Sequence, residues 1–259
     1  MYIIIMAKKK RADILAAGQG LAENADKASR LIMAGEVLRL FESGETLPVQ
    51  KPGDMLPEDA ILSLKEKSPF VSRGAFKLLT GLEYFKLDVN GLTALDAGAS
   101  TGGFTDCLLQ RGAARVYAVD VGTAQLHEKL LRDLRVVSLE QVNLRLAGPD
   151  LLPEKVDLMV ADLSFISLKA VLPVCLLFLK PGAKILALIK PQFEVEAGQT
   201  VKGVVRDEAL RQAAVQGVLD FARAELGLKY VGVIPSAIKG PKGNQEYMAY
   251  WQMPHNSNI

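Results

Sequence analysis

A chain of 259 residues, 49% hydrophobic and 23% charged, has enough apolar side chain for one large domain, or for a medium and a small one. A net charge of only +2 excludes binding to nucleic acid through overall charge, so any such affinity comes from local patches. The two cysteines, Cys107 and Cys175, read as buried reduced thiols of a cytoplasmic protein; they and the two histidines lack metal-ligand spacing, so no metal is expected.

The opening run Met1–Met6 is apolar but too short for a signal peptide or a membrane span, and either Met1 or Met6 serves as initiator. The later run Val171–Leu179 contains Pro173 and also falls short of spanning. Residues 1–65 read as a small separate unit. Lys8, Lys9, Lys10 and Arg11 precede a helical stretch broken at Gly18 and Gly20. Asn24 then caps a second helix to Met33, with Ala28, Leu31 and Ile32 on its apolar face and Lys27 and Arg30 on another. Such a basic patch is either a solvated face or a phosphate-contacting one. Pro57–Ser68 reads as strand and linker.

Residues 66–259 read as the larger unit. A helix is expected from Ser72 to about Phe85, with Phe76, Leu79 and Leu82 on its core side and Lys77 sharing another side with Arg73. Next, a short apolar run ends in Asp96 and passes through a glycine-rich turn into a helix that Thr101 or Thr105 caps. This is the first βα turn of a nucleotide-binding sheet, where ligands sit beyond the carboxyl ends of the strands. Against G-x-G-x-x-G it reads Gly98-x-Ser100-x-x-Gly103, without the glycine on which a pyrophosphate lies. A nucleoside ligand lacking pyrophosphate, such as S-adenosylmethionine, relaxes that demand. Asp96 would then face its amino-acid end, with Gly102 and Gly103 letting backbone approach it. Val116–Val119 ends in Asp120, about 20 residues past the turn and placed to accept from both ribose hydroxyls.

The units that follow alternate. A helix near Ala124–Asp133, a strand near Val136, a strand Val156–Ala161 ending at Asp162 and a helix Ser167–Leu179 lead to a turn at Lys180-Pro181-Gly182. A buried strand, Ala183–Ile189, then ends at Lys190. This rhythm gives a parallel sheet with helices on both faces. Glu194–Arg206 reads as a mobile loop and Asp207–Leu226 as an amphipathic helix. Strands Tyr230–Ile234 and Glu246–Trp251 are joined by a basic, turn-rich connection containing Lys239 and Lys242 that suits phosphate.

Asp162, Lys190 and Glu246 end or start strands on the ligand side, and Lys77 lies on the helix before the first strand. Converging, two lysines and two carboxylates would suit proton removal from an alcohol. A partly desolvated lysine beside another cation loses part of its usual pKa of about 10.4. With a sulfonium methyl as electrophile the reaction is in-line methyl transfer to oxygen, driven largely by alignment.

The order Lys77, Asp162, Lys190, Glu246 resembles the Lys-Asp-Lys-Glu set of the FtsJ-type ribose 2′-O-methyltransferases. The blocks Ser72–Leu78, Leu95–Asp106, Asp162–Leu168, Lys190–Glu194 and Gly243–Tyr247 resemble the TlyA family in particular. The first 55 or so residues resemble the α-L RNA-binding module of the ribosomal small-subunit protein four family, with Glu36–Gly44 standing where that family has a short strand and an Asn-Gly turn.

The resemblance implies a Rossmann-like α/β sheet, mostly parallel with an antiparallel last strand, over residues 66–259, and a small α-L domain over 1–65. It implies S-adenosylmethionine as cofactor, held by Asp96, Gly98, Ala99, Ser100, Thr101, Gly102, Gly103, Phe104, Thr105, Asp120, Val121 and Asn143. Lys190 is implied as proton acceptor or as the group that steers the deprotonated hydroxyl. Asp162 and Glu246 would orient it, and Lys77 would hold the ribose or a phosphate. The implied substrate is cytidine in ribosomal RNA within ribosomal subunits, with RNA contacts from Lys8, Lys9, Lys10, Arg11, Lys27, Arg30, Arg73, Lys239 and Lys242. Rival readings are a non-catalytic RNA-binding or ribosome-assembly factor, a small-molecule methyltransferase, and a membrane-active protein, since relatives carry haemolysin labels. Monomer and dimer both remain open.

Overall fold

The computed structural model describes residues 8–65 and 68–255; the Met1–Met6 run lies outside them. The chain divides into two compact units, Met1–Lys67 and Ser68–Ile259.

The first unit comprises β1 (Lys9–Arg11), α1 (Ala12–Gly18), α2 (Ala25–Met33), β2 (Val37–Leu40), β3 (Thr46–Pro48), β4 (Met55–Pro57) and β5 (Ile61–Leu64). The Asn24 side chain caps α2 by accepting from the Lys27 amide at 2.9 Å. Ala28 and Ile32 carry that helix into a small core with Ala12, Leu15, Ala16, Val37 and Leu62. Although Glu36–Gly44 lacks an Asn-Gly turn, β2 and β3 still form an antiparallel hairpin, closed by the Phe41 amide on the Glu45 carbonyl and by Gly44 at φ 82°. Strand β2 also pairs with β5, and β1 with β4.

The second unit comprises α3 (Ala75–Tyr84), β6 (Thr93–Ala97), α4 (Gly103–Gln110), β7 (Arg115–Val119), α5 (Glu128–Leu131), β8 (Val136–Leu139), β9 (Val156–Ala161), α6 (Leu168–Cys175), β10 (Leu179–Ile189), α7 (Glu208–Ala224), β11 (Lys229–Pro235) and β12 (Tyr247–Gln252). The strands form one sheet in the order β11-β12-β10-β9-β6-β7-β8. Strands β6 to β10 run parallel, and β12 is antiparallel to both of its neighbours. Three elements differ from the sequence reading. Helix α3 starts three residues after Ser72, because Ser72 to Gly74 form a turn in which the Ser72 hydroxyl accepts from the Gly74 amide. Helix α5 is a single turn that opens on His127. Lys180-Pro181-Gly182 does not end an element but lies within β10, where the pairing with β9 shifts register.

Period-two alternation sorts the strand side chains into two apolar layers. Met159, Ala161, Ile185, Ala187, Ile189, Ala249 and Trp251 face the layer that α6 and α7 cover. Ala94, Leu158, Val160, Leu186, Leu188, Met248 and Tyr250 face the layer of α3 and α4. Continuing the second register by two residues reaches Asp96, Asp120, Asp162 and Lys190 at the strand ends and Glu246 just before β12. One face of the sheet thus delivers these five charged residues to the rim. On α3 the core side is Ala75, Leu78, Gly81 and Leu82; Phe76 and Leu79 are only half-buried, and Lys77 is itself buried. Arg73 precedes the helix and is exposed, so it does not share a helical side with Lys77. Among the described residues no helix is long and apolar enough to cross a membrane.

Candidate active site

Strands β6 and β9 are neighbours, and the chain leaves β6 toward β7 on the other side, which makes the carboxyl ends of β6 and β9 a topological switch point. Two adjoining cavities open there. The larger, about 520 Å³, is lined by Gly98, Ser100, Asp120, Val121, Gln125, Val142, Asn143, Leu144, Asp162, Ser164 and Phe165 among others. The smaller, about 190 Å³, is lined by Ser72, Gly74, Lys77, Ala99, Thr101, Gly103, Phe104 and Lys190, and shares Gly98, Ser100, Asp162 and Ser164 with the first. The larger volume lies within the roughly 300–1,000 Å³ usual for small-molecule sites.

Gly98 sets the wall between them. At φ 83° it turns the chain off β6, and a Cβ there would stand 3.1 Å from the Asp162 carbonyl oxygen, so only glycine lets the two strand ends come this close. Gly102 serves packing, and Gly103, which also lines the smaller cavity, packs closely against the turn before α3. A Cβ on Gly102 would lie 2.1 Å from a methyl of Leu130, and one on Gly103 3.0 Å from the Ala75 amide nitrogen. Gly102 is itself the N-cap of α4 and no side chain caps that helix, so the expected cap from Thr101 or Thr105 does not form. The Thr105 hydroxyl donates instead to Asp96 Oδ2 at 2.6 Å.

Asp96 also departs from expectation. It is wholly buried and lines neither cavity, so it does not face a ligand's charged end directly. Its Oδ1 is buried with no hydrogen-bond partner among the described residues. Burial pushes this carboxyl up to about 7, against the Thr105 hydrogen bond and helped by the negative charges of Asp162 and Asp120. Asp120 does line the larger cavity, but its oxygens already accept from the Ser100 amide at 2.8 Å and the Gly122 amide at 2.7 Å. Its remaining lone pairs are what it can offer a ribose. Val121 and Asn143 are exposed at the same cavity.

The four charged residues that the sequence singled out meet. Lys190 Nζ lies 2.5 Å from Asp162 Oδ1, and Lys77 Nζ lies 3.4 Å from Asp162 Oδ2 and 2.7 Å from Glu246 Oε2. The Lys190 contact is a close ion pair without hydrogen-bond alignment, since Asp162 Oδ1 has no aligned donor. Lys190 does donate to the Ser164 hydroxyl at 3.0 Å, and Gln192 donates to Glu246 Oε1 at 3.1 Å. Glu246 is fully buried and Lys190 only 6% exposed. Gly240 allows that burial: a Cβ there would stand 2.1 Å from Glu246 Oε1. Two ammonium and two carboxylate groups, all buried but Asp162, balance charge, and breaking any link would strand an unpaired charge.

Several neighbours have no counterpart in the sequence reading. Ser164 lines both cavities beside Lys190. Phe165 is 91% exposed at φ 63°, with its ring 5.4 Å from that of Phe193. A bulky side chain held at positive φ in the open marks strain kept at a site. An aromatic three residues after a strand-end acid, where no core needs it, was the available signal. Glu194 starts the 194–206 segment by accepting from the Ser167 hydroxyl at 2.6 Å and the Leu168 amide at 2.7 Å; burial raises its carboxyl.

Of the RNA-binding candidates, Lys8, Lys9, Arg11, Lys27, Arg30, Arg73, Lys239 and Lys242 are exposed and Lys10 is half-buried. Arg11 is paired with Asp13 and Lys27 with Glu23, each at 2.6 Å, so part of that charge is already answered.

Comparison with known proteins bears on the whole chain. A family model described as FtsJ-like methyltransferase matches residues 70–253. The chain is 46% identical over 248 residues to the 16S/23S rRNA (cytidine-2′-O)-methyltransferase TlyA of Mycobacterium tuberculosis, covering 95% of this chain and 90% of that protein. It is 37% identical to Hemolysin A of Brachyspira hyodysenteriae, covering 93% and 99% of the two. A solved structure, "Putative hemolysin from Streptococcus thermophilus", is similar with a TM-score of 0.72 and 42% identity over 96% of this chain and 90% of that one.

Proposed function

The chain belongs to the FtsJ-like methyltransferase family, and from that premise we propose that it methylates the 2′-hydroxyl of cytidine in ribosomal RNA with S-adenosylmethionine as donor. The observation that carries the reading is Asp162, whose carboxylate stands between Lys190 and Lys77 at the mouth shared by the two cavities.

The larger cavity fits the cofactor. It is of suitable volume, and Gly98, Ser100, Asp120, Val121, Asn143 and Leu144 would hold the nucleoside. When bound, S-adenosylmethionine supplies an electrophilic methyl group on sulfur. The smaller cavity suits the hydroxyl that receives it. As a neutral amine Lys190 takes the proton from that hydroxyl and becomes an ammonium, or as an ammonium it holds the oxygen while the proton passes to water, and Asp162 fixes its direction. Lys77, tied to Glu246, positions the ribose or its phosphate, and the two carboxylates prevent two cations from standing side by side uncompensated. Phe165 offers an exposed π-face at the same rim for a base turned out of its stack, and such stacking is worth roughly 1–3 kcal/mol per base. A 2′-hydroxyl acceptor accounts for RNA as the polymer, and the exposed basic residues of the first unit account for affinity beyond a single nucleoside.

The test is transfer of labelled methyl to unmethylated small and large ribosomal subunits, followed by alkaline hydrolysis of the RNA. Label retained in an alkali-resistant dinucleotide containing cytidine is the expected result and identifies the subunit. Label on base, or equal rates on free cytidine and on RNA, contradicts the proposal. Cofactor binding without any transfer would favour the assembly-factor reading.

A further inference from the structure

A third concavity lies on the rim of the sheet, beside the strand that begins after Glu246. It holds about 380 Å³, and its walls include Arg206, Arg211, Lys239, Gln245 and Tyr247, with Glu208 as the one acid. The walls are tied together. The buried Asn244 accepts from the Val205 amide at 3.1 Å and donates to the Gly203 carbonyl at 2.8 Å, which pins the 203–206 segment to the connection that carries Lys239. Arg211 donates to the Val205 and Arg206 carbonyls at 3.1 and 3.3 Å, and its guanidinium also pairs with Glu208.

The charge there is not balanced. Glu208 is used by Arg211, whose buried Nε still has no acceptor. Arg206 and Lys239 are exposed, and among the described residues neither has an ion-pair partner. Two unanswered cations on the walls of one pocket suit an anion with several acceptor oxygens, which arginine's planar fork matches. Gln245 and Tyr247 line this cavity on the α7 face of the sheet, while Glu246 between them meets Lys77 on the α3 face, so the pocket and the four-charge set share a strand end from opposite faces.

We infer that the Arg206–Lys239 cavity binds a backbone phosphate of the RNA substrate. The inference rests on the reading of the protein as an RNA methyltransferase, and it adds a phosphate site that sets RNA affinity.

The test uses the full chain and a fluorescently labelled single-stranded RNA, read by anisotropy as salt is raised. The Arg206→Ala/Lys239→Ala variant should bind about ten-fold more weakly, and the slope of log K against log salt should shrink by about 0.7 for each phosphate that is no longer neutralised. Arg206→Lys, which keeps the charge, should retain most of the slope. S-adenosylmethionine affinity and melting temperature, measured on the same samples, should match the wild type; Arg211 is left in place because it holds the loop. Unchanged RNA affinity and slope in the double variant overturn the inference, as does a wild-type chain that does not bind the RNA. Methyl transfer by the wild type is assayed separately. Its absence, with the slope change present, would sink the proposed function and leave the phosphate site standing.

Discussion

Asp13 in the first unit and Asp96 in the second are both buried aspartates, and they are handled in opposite ways. Asp13 receives Arg11 through two hydrogen bonds of 3.1 and 2.6 Å, the Ile14 amide and the Ser29 hydroxyl. The Arg11 guanidinium accordingly holds its carboxyl below the usual range despite burial. Asp96 receives one hydroxyl and nothing on its other oxygen, and burial holds it near neutrality. The same contrast extends outward. The first unit keeps nearly all its basic side chains in water, where charge binds a polyanion at little cost to folding. The sheet unit draws Lys77, Asp96, Lys190 and Glu246 out of water. On the proposed reading, exposed charge governs RNA affinity and buried charge governs chemistry.

The sharpest break of that contrast is Asp162→Asn, which keeps shape but removes the charge between two lysines. Methyl transfer should fall by about 10²–10⁴-fold, the range of a general acid–base contribution, with S-adenosylmethionine affinity reduced far less. A fall in both by the same factor would make Asp162 a cofactor ligand instead. Gly102→Ala tests the packing role of that glycine. Leu126 and Leu130 occupy the space and φ is 92°, so denaturant unfolding should show a loss of about 2–4 kcal/mol.

The aspartates themselves give opposite pH signatures. Asp13 is held below its unfolded value, so its contribution is present above pH 4 and lost as pH falls through the folded value. Asp13→Asn should therefore cost about 1–2 kcal/mol at neutral pH and progressively less as pH falls through the folded value. Asp96 is held above its unfolded value of 3.8, at about 7, so the folded chain keeps a proton that the unfolded chain has lost. Its contribution to stability declines from about pH 4 to 7 and is level above. Asp96→Asn should gain on the wild type steadily across that interval in thermal melts; a gap independent of pH would show that Asp96 has a solvated or bound partner. The smallest effect is on the outer surface. Replacing Lys8, Lys9 and Arg30 with alanine should weaken RNA binding several-fold and flatten its salt dependence, without changing cofactor affinity.

The strand ends were the most legible part of the sequence. Asp96, Asp120, Asp162 and Lys190 each close an apolar run, and period two alone puts all four on one face with Glu246. The Asn24 cap was equally plain, since it depends only on residues three apart. What escaped depended on contacts distant in sequence. Thr105 looks like a helix cap until Asp96 is seen beside it, and Gly102 looks like a ligand-facing glycine until Leu130 is seen above it. The Glu36–Gly44 segment closes a hairpin without the expected Asn-Gly pair because Gly44 supplies the positive φ from a different position. Phe165 was passed over because exposure of an aromatic is decided by the loop's backbone and not by local pattern. Arg211 was passed over as one more charge on an amphipathic helix.

On the proposed mechanism the Lys190 amine acts on the hydroxyl that receives the methyl group and does not hold the cofactor. Single-turnover transfer to ribosomal RNA with Lys190→Ala, with S-adenosylmethionine affinity measured on the same preparation, separates these two roles. The rate should fall by about 10²–10⁴-fold while cofactor affinity stays within a few-fold of the wild type. Transfer at a near wild-type rate, or a cofactor affinity that falls in step with the rate, would contradict it.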